Sequence, residues 1–263
     1  MNQNRYEFKI RFRLRLIFPI GAILPAPPSA ADRVVEKSLH RQLKNLYAGA
    51  DAATEVRFGR YRIDAVVGEE LVEVQCASLS AIGPKIAALV EQRPVRVVKP
   101  LIQRKRIIKR ASSGGKILSN RLSPKKGTWL DLFDELVYFT KVFPHANLTL
   151  EVPLIHIEEH RLPGHGRRRR KRQNDHTVED THLVEVIETR RIKTADQLWK
   201  FLPGKLPQEF DTGDLARMLT CQRWIAQRIA YCLRETGAAE IIGKRGNAVL
   251  YAKAKKRKKS KAA

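Results

Sequence analysis

The sequence has few cysteines and no long apolar segment. Its 263 residues include only Cys76, Cys221 and Cys232, and none of them belongs to a Cys-x-x-Cys pair. An odd number of scattered cysteines argues against a disulfide scaffold or a zinc ribbon and favours a reducing compartment, so we predict a cytoplasmic protein. No run of about 18 apolar residues is present, and no basic amphipathic helix suits a membrane surface. We therefore expect no membrane partner.

Acidic residues are scarce beside basic ones. The chain carries 51 Lys and Arg against 27 Asp and Glu, a net charge of +24. Such an excess predicts an anionic partner, which we take to be DNA, with RNA as the alternative, although no aromatic-rich stacking motif indicates RNA. P-loop, dinucleotide-binding and Ser-His-Asp patterns are missing, so NTPase, dehydrogenase and serine-hydrolase functions have no support. The sequence leaves open whether the protein is a monomer or a dimer.

The most informative stretch is a predicted β-hairpin at residues 60–76. Two runs of strand composition, 61–66 and 71–75, flank a loop in which Gly68 precedes Glu69, as a type II′ turn requires. The register then sets three pairs opposite each other: Val66 and Leu71, Asp64 and Glu73, Arg62 and Gln75. Because strand side chains alternate, the four polar residues share one face, and a core-facing set occupies the other: Ile63, Ala65, Val72 and Val74.

Asp64 and Glu73 form the candidate site of this hairpin. Two opposed carboxylates repel each other, and in a partly buried site the repulsion must be relieved by protonation or by a cation. Carboxylate oxygens with open positions for water and phosphate suit Mg²⁺, or Mn²⁺. The alternative is a solvated polar face, in which Arg62 and nearby lysines neutralise the acids.

The arrangement of these acids resembles the PD-(D/E)XK nuclease superfamily. Asp64 precedes Glu73-Val74-Gln75 on the next strand and follows a predicted helix that carries Glu36. The resemblance covers roughly residues 32–160. It implies an α/β restriction-endonuclease-like fold with a mixed central sheet flanked by helices. It also implies catalytic roles for Asp64, Glu73, Gln75 and Glu36, with Mg²⁺ (or Mn²⁺) held by Asp64 and Glu73.

The departure from that pattern is Gln75, which stands where lysine is usual. The departure leaves two hypotheses open. The first is a metal-dependent phosphodiesterase, an endonuclease or exonuclease that acts on DNA. The second is a catalytically inactive nuclease-fold protein that binds DNA or has a regulatory role.

The order of predicted elements gives the domain organisation. A lead-in at 1–31, superficially like a signal peptide, precedes a nuclease-like α/β domain at 32–163. Within that domain we expect a helix at 33–48, a crossover helix near 84–92, a parallel strand at 95–98, a basic strand at 103–110, a helix at 129–143 and a strand at 148–154. Arg104 and Lys105 on the basic strand are candidate phosphate contacts. Further along the chain, alternate positions carry His156, Glu158 and His160. These three side chains are a weaker candidate for a transition-metal site, and the alternative is a polar strand face.

A basic linker at 164–180 contains six consecutive basic residues and leads into a second domain at 181–252. Predicted helices at 194–202, 213–219 and 222–235, with Thr212 as an N-cap, and strands at 239–242 and 248–251 resemble a winged helix-turn-helix domain. The resemblance implies base contacts from Gln222, Arg223, Gln227 and Arg228 and phosphate contacts from Lys244, Arg245 and Asn247. The alternative use of such a domain is protein–protein contact. A basic tail follows at 253–263.

Overall fold

The computed structural model describes residues 37–49, 52–164, 175–204 and 207–254, together with the main chain of Leu24–Pro25. In these ranges the strands are β1 (Leu24–Pro25), β2 (Ala53–Phe58), β3 (Tyr61–Val67), β4 (Glu70–Val74), β5 (Val95–Val98), β6 (Leu101–Arg110), β7 (Ile117–Leu122), β8 (Leu148–Pro163), β9 (His176–Ile192), β10 (Glu209–Phe210), β11 (Ala239–Arg245) and β12 (Ala248–Lys253). The α-helices are α1 (Ser38–Ala48), α2 (Gly83–Val90), α3 (Asp131–Leu136), α4 (Thr212–Met218) and α5 (Arg223–Glu235), and 3₁₀ helices span Leu79–Ala81 and Ala195–Phe201.

Nine of the described strands form one mixed sheet. Strands β2, β3 and β4 are antiparallel neighbours, and β5 lies parallel to β4. Both β5 and β6 run parallel to β8, while β7 pairs with β6 and β9 pairs with β8 in antiparallel fashion. Helix α2 joins β4 to β5, which makes the predicted crossover. The fold is therefore α/β, with a mixed central sheet flanked by helices.

Apolar cores cover both faces of this sheet. Leu71 and Val72 are successive residues of β4, so their side chains point to opposite faces. The cluster that contains Val72 packs under α1: Leu39, Leu43, Ala48, Ala65, Val74, Val98, Ile155 and Ile157. The cluster that contains Leu71 packs under α2 and α3, and its members include Ile86, Leu89, Val95, Val97, Leu132, Phe133 and Phe139. Because both faces are covered, a polar side chain on either face near the middle of the sheet is desolvated.

The second core continues into a smaller C-terminal unit. Leu198, Leu215 and Ile229 belong to the same apolar cluster as Phe133 of α3. In this unit β10, β12 and β11 form a three-stranded sheet in that order, next to α4 and α5. The Cys232 thiol of α5 donates a hydrogen bond to the Phe133 carbonyl oxygen over 3.5 Å.

The structure changes the predicted boundary between the two units. Residues 175–180, predicted as part of a linker, and 181–189, predicted as the start of the second domain, are largely strand β9 of the large sheet. The reason is long-range pairing: β9 follows β8 from Ile192 opposite Leu150 to His176 opposite Pro163. The C-terminal unit therefore begins after Ile192. Residues 165–174, with the basic run, lie outside the described ranges.

Two predicted helices differ from the observed ones. The helix predicted at 129–143 is shorter, because α3 ends at Leu136 and turns follow, although Phe139 stays fully buried. The helix predicted at 33–48 is described from Ser38, and Leu46 of its predicted apolar stripe is exposed. At that end of the helix Tyr47 reaches the sheet instead, with its hydroxyl 2.9 Å from Thr189 Oγ1.

The predicted elements of the C-terminal unit are close to the observed ones. The first helix is a 3₁₀ helix with a capping box between Thr194 and Gln197. Asp211, not Thr212, is the N-cap of α4, because its carboxylate accepts hydrogen bonds from the main-chain N–H groups of Gly213 and Asp214. Both predicted strands are present and longer than expected.

Candidate functional site

The hairpin of β3 and β4 has the predicted register. Val66 is paired with Leu71 and Val67 with Glu70, so Gly68 and Glu69 form a two-residue loop. Gly68 has a φ of +59°, as the first position of a type II′ turn requires. The ladder ends at the pair Ala65 and Val72, and the next step of the same register would place Asp64 opposite Glu73.

Beyond this pair, the Asp64 side chain takes the place of a main-chain acceptor in the hydrogen-bond ladder. The Val74 N–H donates to Asp64 Oδ2 over 2.7 Å. His40 of α1 approaches the same two residues. Its Nε2 is 3.3 Å from Asp64 Oδ2 and 3.0 Å from the Val74 carbonyl oxygen. Burial alone would raise the pKa of Asp64, but the hydrogen bonds from His40 and Val74 lower it below its ordinary value. Asp64 is therefore ionised at neutral pH.

Glu73 lies in the opposite electrostatic situation. Burial, and then the negative charge of Asp64, raise the pKa of Glu73 from 4.5 to about 7, even though Lys85 opposes the shift. Lys85 Nζ donates to Glu73 Oε1 over 2.5 Å, while Glu73 Oε2 is buried with no hydrogen-bond partner among the described residues. The two carboxylates thus share one site with Lys85, and among the described residues one buried Glu73 oxygen has no hydrogen-bond partner.

Lys85 comes from the crossover helix α2, which packs on the sheet beside β5. Its ammonium group also donates to the Arg62 carbonyl oxygen, which ties α2 to strand β3. The positive charge of Lys85 lowers the pKa of both Asp64 and Glu73. Lys85 therefore supplies, from a helix, a cation next to the two carboxylates.

The hydrogen bond of the Gln75 side chain goes to the following turn and not to the two acids. Its side-chain N–H₂ donates to the Ser78 carbonyl oxygen over 2.7 Å. Its main-chain N–H donates to the Val98 carbonyl oxygen of the neighbouring strand. Gln75 thus fixes the turn that leaves β4. Glu36, the remaining predicted catalytic residue, lies outside the described residues.

The groups that could bind a metal at this site are oxygen atoms. Two carboxylates and the Val74 carbonyl oxygen are hard ligands of the kind that Mg²⁺ and Mn²⁺ prefer, and the unsatisfied Glu73 Oε2 fits a cation-binding role. Across the described residues, no group of three or more His, Cys, Asp and Glu side chains is arranged to hold a metal ion. A metal at Asp64 and Glu73 would therefore depend on main-chain, water or phosphate oxygens for its other ligands.

Sequence reasoning assigned no role to His40 or Lys85. His40 lies four positions after Glu36 in the sequence, and in the helix predicted at 33–48 this spacing was a usable signal. Lys85 lies 12 positions after Glu73 on another element, so only the crossover geometry of α2 brings them together.

The weaker metal hypothesis at β8 is not supported by the contacts there. His160 Nε2 is 2.9 Å from Glu158 Oε1, so these two side chains pair with each other. His156 Nδ1 is 2.6 Å from Glu185 Oε1 on β9, and its Nε2 is 2.8 Å from Gln103 Oε1. These residues form separate cross-strand and local pairs.

The predicted nucleic-acid contacts of the C-terminal unit are exposed. Gln222, Arg223, Gln227 and Arg228 lie on the solvent side of α5 or at its start, and the residues of the β11–β12 turn are exposed as well: Lys244, Arg245 and Asn247. Two of these arginines already have acidic partners. Arg228 Nη1 is 2.6 Å from Asp134 Oδ1 of α3, and Arg245 Nη1 is 2.9 Å from Asp214 Oδ2.

Arg104 and Lys105 on β6 are half-exposed. Lys105 Nζ is 2.6 Å from Glu159 Oε2 on β8, and Arg161 pairs with the other oxygen of the same carboxylate. The hydrogen bonds from these two basic groups lower the pKa of Glu159 against the opposing effect of burial, which is the largest influence. Lys105 is thus part of an ion-pair network with the buried Glu159, across strands β6 and β8.

Among the helices that the structure describes, none is long and apolar enough to cross a membrane.

Comparison with known proteins identifies the family but assigns no activity. A family model described as "Domain of unknown function (DUF8091)" matches residues 37–193, which end with strand β9. An "Uncharacterized protein" of Treponema pallidum (strain Nichols) is 30% identical over 222 residues, covering 83% of this chain and 85% of that protein. No solved structure matches at a significant level. The chain belongs to the DUF8091 family, whose shared domain is the large sheet that carries Asp64 and Glu73.

Proposed function

We propose that the protein is a metal-dependent phosphodiesterase of the PD-(D/E)XK type that acts on DNA. The order of elements supports this proposal: a helix, three antiparallel strands, a crossover helix and a parallel strand follow one another as α1, β2–β3–β4, α2 and β5. Asp64 and Glu73 occupy the hairpin positions at which the resemblance expects the catalytic acids.

The observation that carries the proposal is the buried acid pair. Glu73 is 8% exposed, has a pKa raised to about 7 by burial and by Asp64, and has one oxygen that no described residue hydrogen-bonds. A protein that needed these residues only for folding would be more stable with a neutral side chain at position 73. Strongly shifted pKa values with a specific charged neighbour are typical of functional sites.

The residues divide into distinct roles. Asp64, Glu73 and the Val74 carbonyl oxygen would hold Mg²⁺ or Mn²⁺, and the bound ion would polarise the scissile phosphate and lower the pKa of a coordinated water. Lys85, which lies beside both acids, would bind a non-bridging phosphate oxygen. It would thereby take over the role of the lysine that Gln75 replaces. His40 would orient Asp64, because its Nε2–H donates toward that carboxylate.

The C-terminal unit would direct the protein to nucleic acid. Its order of elements, from the 3₁₀ helix through β10, α4 and α5 to the β11–β12 hairpin, supports the winged-helix resemblance. In this proposal Arg223, Lys244 and Asn247 contact DNA. The net charge of +24 favours the phosphate backbone as the partner.

The test is incubation of plasmid and linear DNA with Mg²⁺ or Mn²⁺. The wild type should cleave, Asp64→Ala should not, and Glu69→Gln should cleave like the wild type because Glu69 is an exposed acid of the same hairpin turn. Cleavage that persists in Asp64→Ala would reject the site.

The second candidate function is DNA binding without catalysis on the same scaffold. The ion pair between Lys85 and Glu73, together with the bond from Gln75 to Ser78, favours it because these contacts give both side chains structural partners within the protein. Salt-dependent retention of DNA with no cleavage in either metal would establish this second function over the first.

A further inference from the structure

The exposed face of α5 carries two aromatic rings, Trp224 in its first turn and Tyr231 two turns later. Trp224 is 46% exposed and Tyr231 is 37% exposed, whereas the opposite side of the helix is buried: Ala226, Ile229, Ala230, Cys232 and Leu233. Trp224 and Tyr231 are seven residues apart, so they lie on one helix face about 10.5 Å apart along the axis. Neither ring is needed to fill the apolar core.

The two rings border a groove between α5 and the end of α3. The groove has a volume of about 450 Å³, and its lining consists of Val137, Trp224, Gln227, Arg228 and Tyr231. Hydration of an exposed aromatic ring is unfavourable. A ligand that stacks on the two rings would remove them from water, so its binding would be favoured.

Arginine side chains accompany both rings. The Arg228 guanidinium lies 4.7 Å from the Trp224 ring centroid, and that of Arg234 lies 5.5 Å from the Tyr231 ring centroid. Arg223 is also exposed on this helix. A surface that alternates aromatic rings with cations matches a chain that alternates flat bases with phosphates, and it matches an apolar protein surface poorly.

We infer that this face of α5 binds unpaired nucleobases, with Trp224 and Tyr231 as stacking platforms and Arg223 on a flanking phosphate, because Arg228 and Arg234 already pair with Asp134 and Glu235. If α5 lay in a duplex groove, the Trp224 indole would meet the edges of base pairs, where stacking is not available. In a single strand the flat faces of the bases are accessible, and two rings about 10.5 Å apart leave room for bases between them. The inference depends on the nucleic-acid part of the proposed function and not on cleavage.

The experiment compares a fluorescently labelled oligodeoxythymidylate with a hairpin duplex of equal charge, in EDTA so that cleavage does not interfere. The wild type should bind the single strand more tightly. The double variant Trp224→Ala/Tyr231→Ala should bind it at least about tenfold more weakly, with its duplex affinity unchanged, and the loss should persist in high salt because stacking does not depend on counterions. The control Ile241→Ala removes an equally exposed side chain from β11 and should change neither affinity.

Intrinsic fluorescence gives a second readout. The single strand should quench the emission of Trp224, and Trp224→Phe should lose this quenching while it keeps most of the affinity. An unchanged affinity of the double variant for the single strand, or equal losses for single strand and duplex, would overturn the inference and leave a protein partner for this face. A wild type that binds neither oligonucleotide would overturn the nucleic-acid part of the proposed function as well.

Discussion

Replacing Glu73 by glutamine should stabilise the protein at neutral and alkaline pH. Glutamine has the shape of the protonated acid and carries no charge, so it removes the electrostatic penalty without opening a cavity. Lys85 keeps its hydrogen bond to the Arg62 carbonyl oxygen in the variant. The expected gain therefore measures how unfavourable the ionised Glu73 carboxylate is in the folded state.

The magnitude follows from the pKa of Glu73, which is raised from 4.5 to about 7. Below about pH 4.5 the Glu73 carboxyl is protonated in both the folded and the unfolded chain, so it does not lower the unfolding free energy. Between about pH 4.5 and 7 the unfolded chain loses the proton first, so the stability of the wild type falls as pH rises. Above about pH 7 the loss is complete and amounts to ~3 kcal/mol.

The assay is urea denaturation of the wild type and Glu73→Gln at several pH values from 4 to 8.5. The difference in unfolding free energy should be near zero in acid and rise to ~3 kcal/mol in favour of the variant at pH 8. Glu69→Gln, in the exposed turn of the same hairpin, should show no such rise. A variant less stable than the wild type at pH 8 would mean that the ion pair with Lys85 outweighs the burial of Glu73, and the reasoning would be refuted.

Three further substitutions test a contact of the site, a buried ion pair of the sheet and the core shared with the C-terminal unit. Lys85→Met should lower the unfolding free energy by ~2–3 kcal/mol at pH 8, measured with urea, because Glu73 then lacks its cation; a loss below ~0.5 kcal/mol would contradict this role. Arg96→Leu should cost ~1.5–3 kcal/mol in the same assay, since the Arg96 Nη1 bond of 2.9 Å to the buried Glu151 is removed while Arg191 still pairs with that carboxylate. Phe133→Ala, at a fully buried position, should cost ~3–5 kcal/mol and unfold the sheet and the C-terminal unit in one transition; two separate transitions would show that they are independent.

Local chemistry was enough to predict the hairpin and the parallel strand that follows it. Gly68 specified the turn, and Pro84 near the start of α2 indicated the crossover. The predicted core-facing set was right only in part, because Ala65, Val72 and Val74 share the cluster under α1, whereas Ile63 belongs to the cluster under α2 and α3. Strand β9 was not predictable in the same way. Its sequence alternates weakly, and its conformation is set by pairing with β8 along its whole length.

The candidate site could be predicted only in part. Asp64 and Glu73 were found because a two-residue turn fixes their cross-strand relation. Lys85 and His40 come from two helices on the two sides of the sheet, and their positions depend on packing that no local pattern encodes. The bond from Gln75 to Ser78 is likewise a property of the following turn.

The most direct measurement is titration of the protein with Mn²⁺, followed by the loss of the free-ion signal in electron paramagnetic resonance. The wild type should bind one Mn²⁺ ion that Mg²⁺ displaces, and Glu69→Gln should bind it equally well. Asp64→Asn and Glu73→Gln, which keep the shape of the site and remove one charge each, should bind at least about tenfold more weakly. Folded wild-type protein that binds no Mn²⁺, or an affinity that neither substitution changes, would contradict a metal site between these two carboxylates.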